Sequence, residues 1–447
     1  MMRSRSKKKN SKKYTLKGTV DHVNKKYAFI EIDEFSEDIK IRSRFLKGAI
    51  HGDKVEIKIF HHLSRRNLEG EVIKIIERKT TEFIGTIEDS KGFAFLIPKN
   101  KKIFVDFFIR KRKAEKFSKK KKYLAQVVDW GGNSKKPEAK IIKCIGNIGE
   151  NDTEINSIIY DFNLPTEFPL EVMQETNLLN EIISEKEINK RKDLRSIETF
   201  TIDPDDAKDF DDALSLEKKD NHYLIGIHIA DVSHFFNVRT LINKEAEKRA
   251  TSTYLVDRTI PMLPEKLSNN LCSLKPNVDR LTYSVIIKFD INYSIVDSWI
   301  GRTVIHSKKR FTYDEAQESI NNKAGLFHEK LNLLNSIAKK IRNKRFSSGS
   351  FNFRSNEIKF KLDKNKKPVE VYKKNRKDTH KMVEEYMLLA NKLVAEKIIS
   401  IEKKESKTYP FVYRIHEDPE ENKINELKNY IKQFGYTINT NEGNIAN

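Results

Sequence analysis

One pattern near the amino terminus returns about one small-barrel length later, and it limits what the chain can fold into. Gly18-Thr19-Val20 is echoed by Gly85-Thr86-Ile87, and Tyr27-Ala28-Phe29-Ile30 by Phe93-Ala94-Phe95-Leu96. Ile39-Lys40-Ile41, with the basic residues after it, is echoed by Ile103-Phe104-Val105 and then Arg110-Lys111-Arg112. Within the first copy, short β-rich segments at 15–20, 27–32, 38–41, 53–60 and 70–76 alternate with turn-forming or charged residues. Five short strands suit a small barrel, so the repeat predicts two tandem all-β modules, 14–77 and 81–147.

Charge follows the same division. The chain of 447 residues carries a formal net charge of +21, yet residues 1–150 hold 38 Lys and Arg against 19 Asp and Glu, leaving 48 against 46 for the rest. A basic front end of this kind seeks polyanions, because clustered cations gain affinity by releasing counterions from phosphates. The competing explanation is a genome-wide bias toward lysine or a merely solvated face; a bias alone would spread the charge evenly. Residues 1–13 carry seven cations and no acid, the composition of a disordered basic arm. Only Cys144 and Cys272 are present, which excludes a disulfide framework and points to a reducing compartment. No run approaches the ~20 apolar residues of a membrane span. The expectation is a soluble, cytoplasmic monomer with no membrane partner.

In each module a period of two places both rings of the aromatic-x-aromatic strand on one sheet face: Tyr27 with Phe29, Phe93 with Phe95. Such rings beside cations could stack on bases of single-stranded RNA while Lys111, Arg112 and Lys113 follow its backbone. Against this stands the general tendency of alternating aromatics to be core. The repeat, the charge and the spacing together favour RNA contact. Tandem barrels of this kind resemble the cold-shock-type domains at the front of certain ribonucleases.

Beyond a connector at 148–189, with a helix expected from Leu170 to Lys192 on the spacing of Val172, Leu178, Leu179, Ile182 and Ile183, the most informative run is TIDPDDAKDFDDAL at 201–214. Six aspartates fall within ten positions. So dense a run needs open water or a bound cation. Strands expected at 198–202, 213–217 and 223–232 place it at the mouth of a sheet. Converging carboxylates suit Mg²⁺, or Mn²⁺ in its place, and the lack of clustered Cys or His argues against zinc. A calcium loop would need a glycine and a terminal glutamate that are missing. Beside a basic region, the run suggests metal-assisted phosphodiester hydrolysis; a purely structural ion site is the open alternative.

The run, followed by HYLIGIHIADVSHF at 222–235 and TSTYLVDRTIPMLPEKLSNNLCSLKPNVDRL at 251–281, resembles the catalytic domain of the ribonuclease R and ribonuclease II family, block for block and in the same order. The resemblance implies two N-terminal OB-fold barrels followed by an α+β catalytic domain of the RNB type at 190–447, incomplete at its C-terminus. It implies a processive 3′→5′ exoribonuclease releasing nucleoside 5′-monophosphates, with Mg²⁺ held by Asp203, Asp209, Asp211 and Asp212. Asp211, with Asp212 beside it, would be the acid whose loss stops cleavage. Tyr254 and Phe353 would grip the terminal bases. Either Glu384 or Glu385, on a helix expected at 378–399, would lie near the terminal ribose. In that family the pattern continues past the Arg414-Ile415-His416 segment into paired arginines, one of them contacting the scissile phosphate, and a further OB-type domain. The chain is therefore also readable as a non-catalytic RNA-binding remnant or the N-terminal fragment of a split enzyme.

Overall fold

The computed structural model describes residues 15–33, 38–60, 68–89, 92–110, 116–131, 136–350, 357–364, 366–415 and 419–438. Two compact units emerge: one comprises the described residues up to Glu167 with Tyr254–Ile260 and Leu362–Val369, and the other comprises the rest.

The first unit begins with β1 (Thr15–Val23), β2 (Tyr27–Glu31), β3 (Ile39–Arg42), β4 (Lys54–Ile59) and β5 (Gly70–Glu77), ordered β3-β2-β1-β4-β5. A single bridge from Lys40 to Glu69 brings β3 to the start of β5. Then β6 (Glu82–Asp89), β7 (Phe93–Pro98), β8 (Phe107–Arg110), β9 (Lys121–Asp129) and β10 (Glu138–Asn147) form a closed barrel. The repeated glycine has a physical reason in both copies. A side chain at Gly18 would strike the Glu31 carbonyl, and one at Gly85 the Ile97 carbonyl, so only glycine lets neighbouring strands approach so closely.

Two expectations for this region need correcting. The echo of Ile39-Lys40-Ile41 is not Ile103-Phe104-Val105, which precedes the strand, but β8 itself. Arg42 pairs with Tyr27 across β2 and β3, and Arg110 pairs with Phe93 across β7 and β8; this strand register is the true repeat. Nor is 148–189 one connector. α1 (Asn151–Asp161) packs with the first unit, where buried Lys122 donates to Glu154 (2.6 Å) and Ser157 (2.9 Å).

In the second unit the expected helix over 170–192 is broken into α2 (Leu170–Asn177) and α3 (Glu185–Ile188). Val172 and Thr176 are buried, but Leu178 and Ile182 are 87% and 80% exposed, so continuing the helix would bury nothing. Ser184 starts α3 by accepting from the Glu187 N–H.

Next come β11 (Lys192–Asp193), β12 (Thr199–Asp203), β13 (Asp212–Lys219), β14 (His222–Ala230) and α4 (Leu241–Arg249). The short strands β15 (Thr253–Tyr254) and β16 (Thr259–Ile260) pair with each other. β17 (Asp279–Asp290), β18 (Ile295–Thr312), α5 (Tyr313–Asn322) and α6 (His328–Ser347) follow, then the hairpin β19 (Ile358–Leu362) and β20 (Pro368–Lys373), then α7 (Asp378–Glu405) and α8 (Glu421–Lys432).

The main sheet runs β11-β18-β12-β13-β14-β17. β18 is long enough to pair with β17 through its first part, up to His306, and with β12 through Ser307 to Thr312, which curls the sheet onto itself. One face is covered by helices. Phe200, Ile202, Leu214, Ile227 and Val285 pack there against Leu331, Leu334 and Ile337 of α6 and Met382, Tyr386 and Leu389 of α7. Tyr386 donates from its hydroxyl to the Leu334 carbonyl (2.9 Å), so its buried polar atom is satisfied.

Candidate active site and nucleic-acid interface

The acidic run occupies the crossing from β12 to β13. Asp203 ends β12, Asp212 opens β13, and Asp209 and Asp211 lie in the loop between. Its backbone is pinned from distant parts of the chain. The Ser273 hydroxyl accepts from the Phe210 N–H (3.1 Å) and donates to the Lys208 carbonyl (2.8 Å). The Leu274 N–H donates to the Phe210 carbonyl (2.8 Å) and the Ala230 N–H to that of Asp211 (3.0 Å). Arg310, on β18, donates to the carbonyls of Pro204 and Asp205. Phe210 is buried with Ala213, Leu274 and Ile305 beneath the loop. The acids are thus held in place by groups other than themselves.

Their electrostatics follow from that confinement. Asp203 is buried, its Oδ2 has no hydrogen-bond partner, and its pKa is raised to about 6, chiefly by desolvation; Asp211 and Asp209 add to the rise while Thr201 and Arg310 oppose it. Asp212 is raised to about 7 by desolvation, then by Asp211 and Asp203. Asp211 is raised by partial desolvation and by Asp209. Hard oxygens that repel one another in low dielectric have the donor chemistry a divalent cation would relieve. They do not form a finished cage: among the described residues no three His, Cys, Asp or Glu are gathered to hold a metal ion.

Two neighbours were not legible in the sequence. Tyr313, the first residue of α5, has its hydroxyl pushed up to about 12 by burial and then by Asp212, Asp203 and Asp211, so it stays a hydrogen-bond donor. His380 of α7 stacks on it, with centroids 3.9 Å apart and planes 8° from parallel, and is pushed down to about 4 by burial, Lys374 and Lys377. Only the polar and aromatic character of the stretch after β18 hinted at this.

The two glutamates of α7 separate. Glu385 is buried and accepts from Arg342 (3.0 Å) and from Arg345 (2.5 and 3.0 Å), both on α6. Glu384 is only partly covered and pairs with Arg376. Tyr254 is 67% exposed, and it groups with the first unit. Phe353 and the Lys111, Arg112 and Lys113 cluster lie outside the described residues.

On the barrels, the aromatics stand on the outer face, contrary to the expectation from burial tendency. Ala28 and Ile30 fill the core between Tyr27 and Phe29, and Ala94 and Leu96 fill it between Phe93 and Phe95. Tyr27 and Phe29 meet edge on at 5.4 Å, with Lys40 Nζ 4.4 Å from the Tyr27 centroid. Phe93, Phe95 and Phe108 form a larger cluster, with Lys136 Nζ 4.5 Å from Phe95. Arg42 and Arg110 are exposed at matching register positions. Each barrel therefore presents rings flanked by cations.

Residues 191–445 match the RNB domain family, 95–169 the cold shock domain and 18–75 the ribonuclease B OB domain. The chain belongs to the ribonuclease R (RNB) family. Ribonuclease R of Thermotoga maritima is 35% identical over 431 residues, covering 94% of this chain and 59% of the relative. That of Chlamydia pneumoniae is 33% identical, covering 93% and 62%. The chain thus spans about three fifths of these ribonuclease R relatives. The structure of Mycoplasma genitalium RNase R in complex with ribose-methylated single-stranded RNA has a TM-score of 0.85 at 24% identity, over 96% of this chain and 69% of that one. Yeast Ssd1, described as a pseudonuclease, shares the fold with a TM-score of 0.68 at 18% identity, over 96% and 59%. Within the RNB domain, then, the acidic loop is the candidate for the chemistry. Among the described residues no helix is long and apolar enough to cross a membrane.

Proposed function

We propose that the chain acts as a 3′→5′ exoribonuclease that hydrolyses single-stranded RNA to nucleoside 5′-monophosphates. One observation carries the reading: within a matched RNB domain, mutually repelling carboxylates are fixed at the mouth of a sheet, one of them with a buried, unpartnered oxygen. Asp203, Asp209, Asp211 and Asp212 would hold Mg²⁺, which supplies an activated water and a counter-charge for the phosphate. The chain's own part is positional. Ser273, Leu274, Ala230 and Arg310 hold the acids in register, and the protonated Tyr313 hydroxyl offers a donor beside them. Tyr254, Glu384 and Phe353 would contact the terminal nucleotides, whereas both Glu385 oxygens are engaged by arginines. The outer faces of the barrels would bind the incoming strand by stacking and charge.

A second reading is an RNA-binding protein without turnover, acting as a cytoplasmic monomer as the first would. It is favoured by the outer faces of the barrels, where rings and cations are arranged for binding with no part in hydrolysis. A single assay separates the two. With 5′-labelled poly(A) and Mg²⁺, the enzyme shortens the label stepwise to short oligomers, and Asp211→Asn abolishes this. Salt-sensitive binding with no shortening by the unaltered chain would leave only the binding protein.

A further inference from the structure

Four residues, 78–81, join the two barrels, and they are not a slack tether. Asp53, just before β4, is fully buried. Its carboxylate accepts from the backbone N–H groups of Ile50 (2.9 Å) and Lys79 (3.2 Å) and from Arg78 Nη1 (2.6 Å). The same Nη1 donates to the Gly48 carbonyl (2.8 Å). The guanidinium carbon of Arg78 lies 3.5 Å from the ring centroid of Trp130, at the end of β9. Trp130 in turn meets Phe83 and Phe107 edge on, and these two stack at the heart of the second barrel. One side chain is therefore shared between a buried carboxylate of the first barrel and an aromatic wall of the second.

Other contacts repeat the arrangement. Ile50, from the loop before β4, is buried in the hydrophobic core of the second barrel and not in its own. His51 reaches Lys102 of the β7–β8 connection (3.2 Å). Gly52 has φ +88°, and a side chain there would run into Lys79. A charge-assisted pair kept from water and a cation against a ring face are both directional. Together with an inserted apolar residue they remove the rotational freedom that a short linker would otherwise leave.

We infer that Arg78 locks the two barrels into one rigid body and so fixes the spacing at which a single RNA strand crosses both aromatic faces. The spacing half of this rests on the reading of those faces as RNA platforms; the locking half does not. A rigid pair of weak sites binds a spanning strand with a high effective concentration, and a loose pair forfeits part of that gain.

The test uses the full chain. Spin labels on native Cys144, which is exposed, and on Lys17→Cys, an exposed position of β1, report the distance between barrels. Cys272 is buried. The unaltered linker should give a narrow distance distribution, and Arg78→Ala a broad one. Because Arg78→Ala leaves Asp53 unpaired, Trp130→Ala serves as a second variant that removes the ring and keeps the ion pair; it should broaden the distribution too. Oligouridines of about 6 and about 20 nucleotides, within reach of one barrel and of two, then give affinities. Both variants should lose about tenfold on the long strand and less than twofold on the short one. An unchanged width in both variants overturns the lock. A broadened width with the long-strand advantage intact overturns the spacing role. If the unaltered chain binds neither oligomer, the platform reading fails and the spacing role with it, while the distances still decide the lock.

Discussion

The acidic loop and the outer faces of the barrels carry opposite charge and are stabilised in opposite ways. On the barrels the functional groups sit where they cost little: rings half in water, cations lying over them, and a core beneath supplied by alternate residues such as Ala28, Ile30, Ala94 and Leu96. In the loop, like charges are drawn out of water against their own repulsion, and Ser273, Leu274, Ala230 and Arg310 hold the backbone there. A binding face can be lost ring by ring. A confined charge cluster is coupled, so altering one member changes the others.

The largest effect should come from the loop. Asp211→Asn is expected to lower turnover of single-stranded RNA by about a thousandfold or more, since it removes one of the carboxylates proposed to hold Mg²⁺. RNA affinity should stay within about twofold, because the barrels are untouched. Turnover close to that of the unaltered chain would place the chemistry elsewhere. Ser273→Ala tests the pinning itself. It leaves every acid in place but orphans the Phe210 N–H, at about 1–3 kcal/mol. Lost turnover that excess Mg²⁺ partly restores is the expected signature of loosened acids; unchanged turnover would mean the loop holds its shape alone.

On the barrels, Phe93→Ala with Phe95→Ala should weaken RNA binding by about 1–3 kcal/mol per lost stack, or roughly thirtyfold and upward for the pair, with little loss of stability. Phe107→Ala, in the same barrel but buried, should do the reverse, costing about 3–5 kcal/mol of stability. Matching effects on stability from both changes would show that the outer rings are core after all.

These two regions also differ in how far the amino-acid sequence reveals them. The barrels are local objects: the repeat, the glycine needed where strands crowd, and the period of two all lie within about seventy residues. Even so, alternation alone could not tell which set of alternate residues faces inward. The acids were visible as a run, but not what restrains them. Ser273 and Arg310 lie 63 and 106 positions from their partners Phe210 and Pro204. Tyr313 and His380 meet only because α5 and α7 pack on the same sheet. The two glutamates looked alike until α6 supplied Arg342 and Arg345 to one of them.

The coupling in the loop should also appear as a pH dependence of stability in the presence of chelator. The folded chain holds protons on Asp203 up to about pH 6 and on Asp212 up to about pH 7, whereas the unfolded chain has released them near pH 4. This contribution is full below about pH 4 and is lost as pH rises through 6 and 7, so the carboxylates' share of the stability should fall between pH 6 and 8. His228 and His380 act in the other direction: held down to about 3 and about 4, chiefly by burial, they destabilise the fold as pH drops below about 6.5 and so oppose the carboxylates within the same window. The carboxylates should therefore lose about 1–2 kcal/mol between pH 6 and pH 8 against a comparable gain from the two histidines, and melting curves should show Asp212→Asn moving the balance toward greater stability at pH 8 by about 1 kcal/mol. A difference between the two pH values that Asp212→Asn leaves unchanged would mean the acids do not share a confined field.

The smallest effect expected is on the cations beside the rings. Lys40 stands over Tyr27 and Lys136 over Phe95, and Lys136 also pairs with Asp106 at 3.1 Å in an exposed position. Removing either cation should cost about threefold in RNA affinity at moderate salt, similarly for all sequences, and reduce the salt slope by about one. Lys40→Ala should have the larger effect of the two, because among the described residues no carboxylate pairs with its ammonium, whereas Asp106 already neutralises part of the charge of Lys136. Affinity titrations at several salt concentrations would show the difference directly. Equal losses from the two variants would mean that Asp106 releases Lys136 to the strand on binding, and an unchanged slope in both would reduce these lysines to covers for the rings.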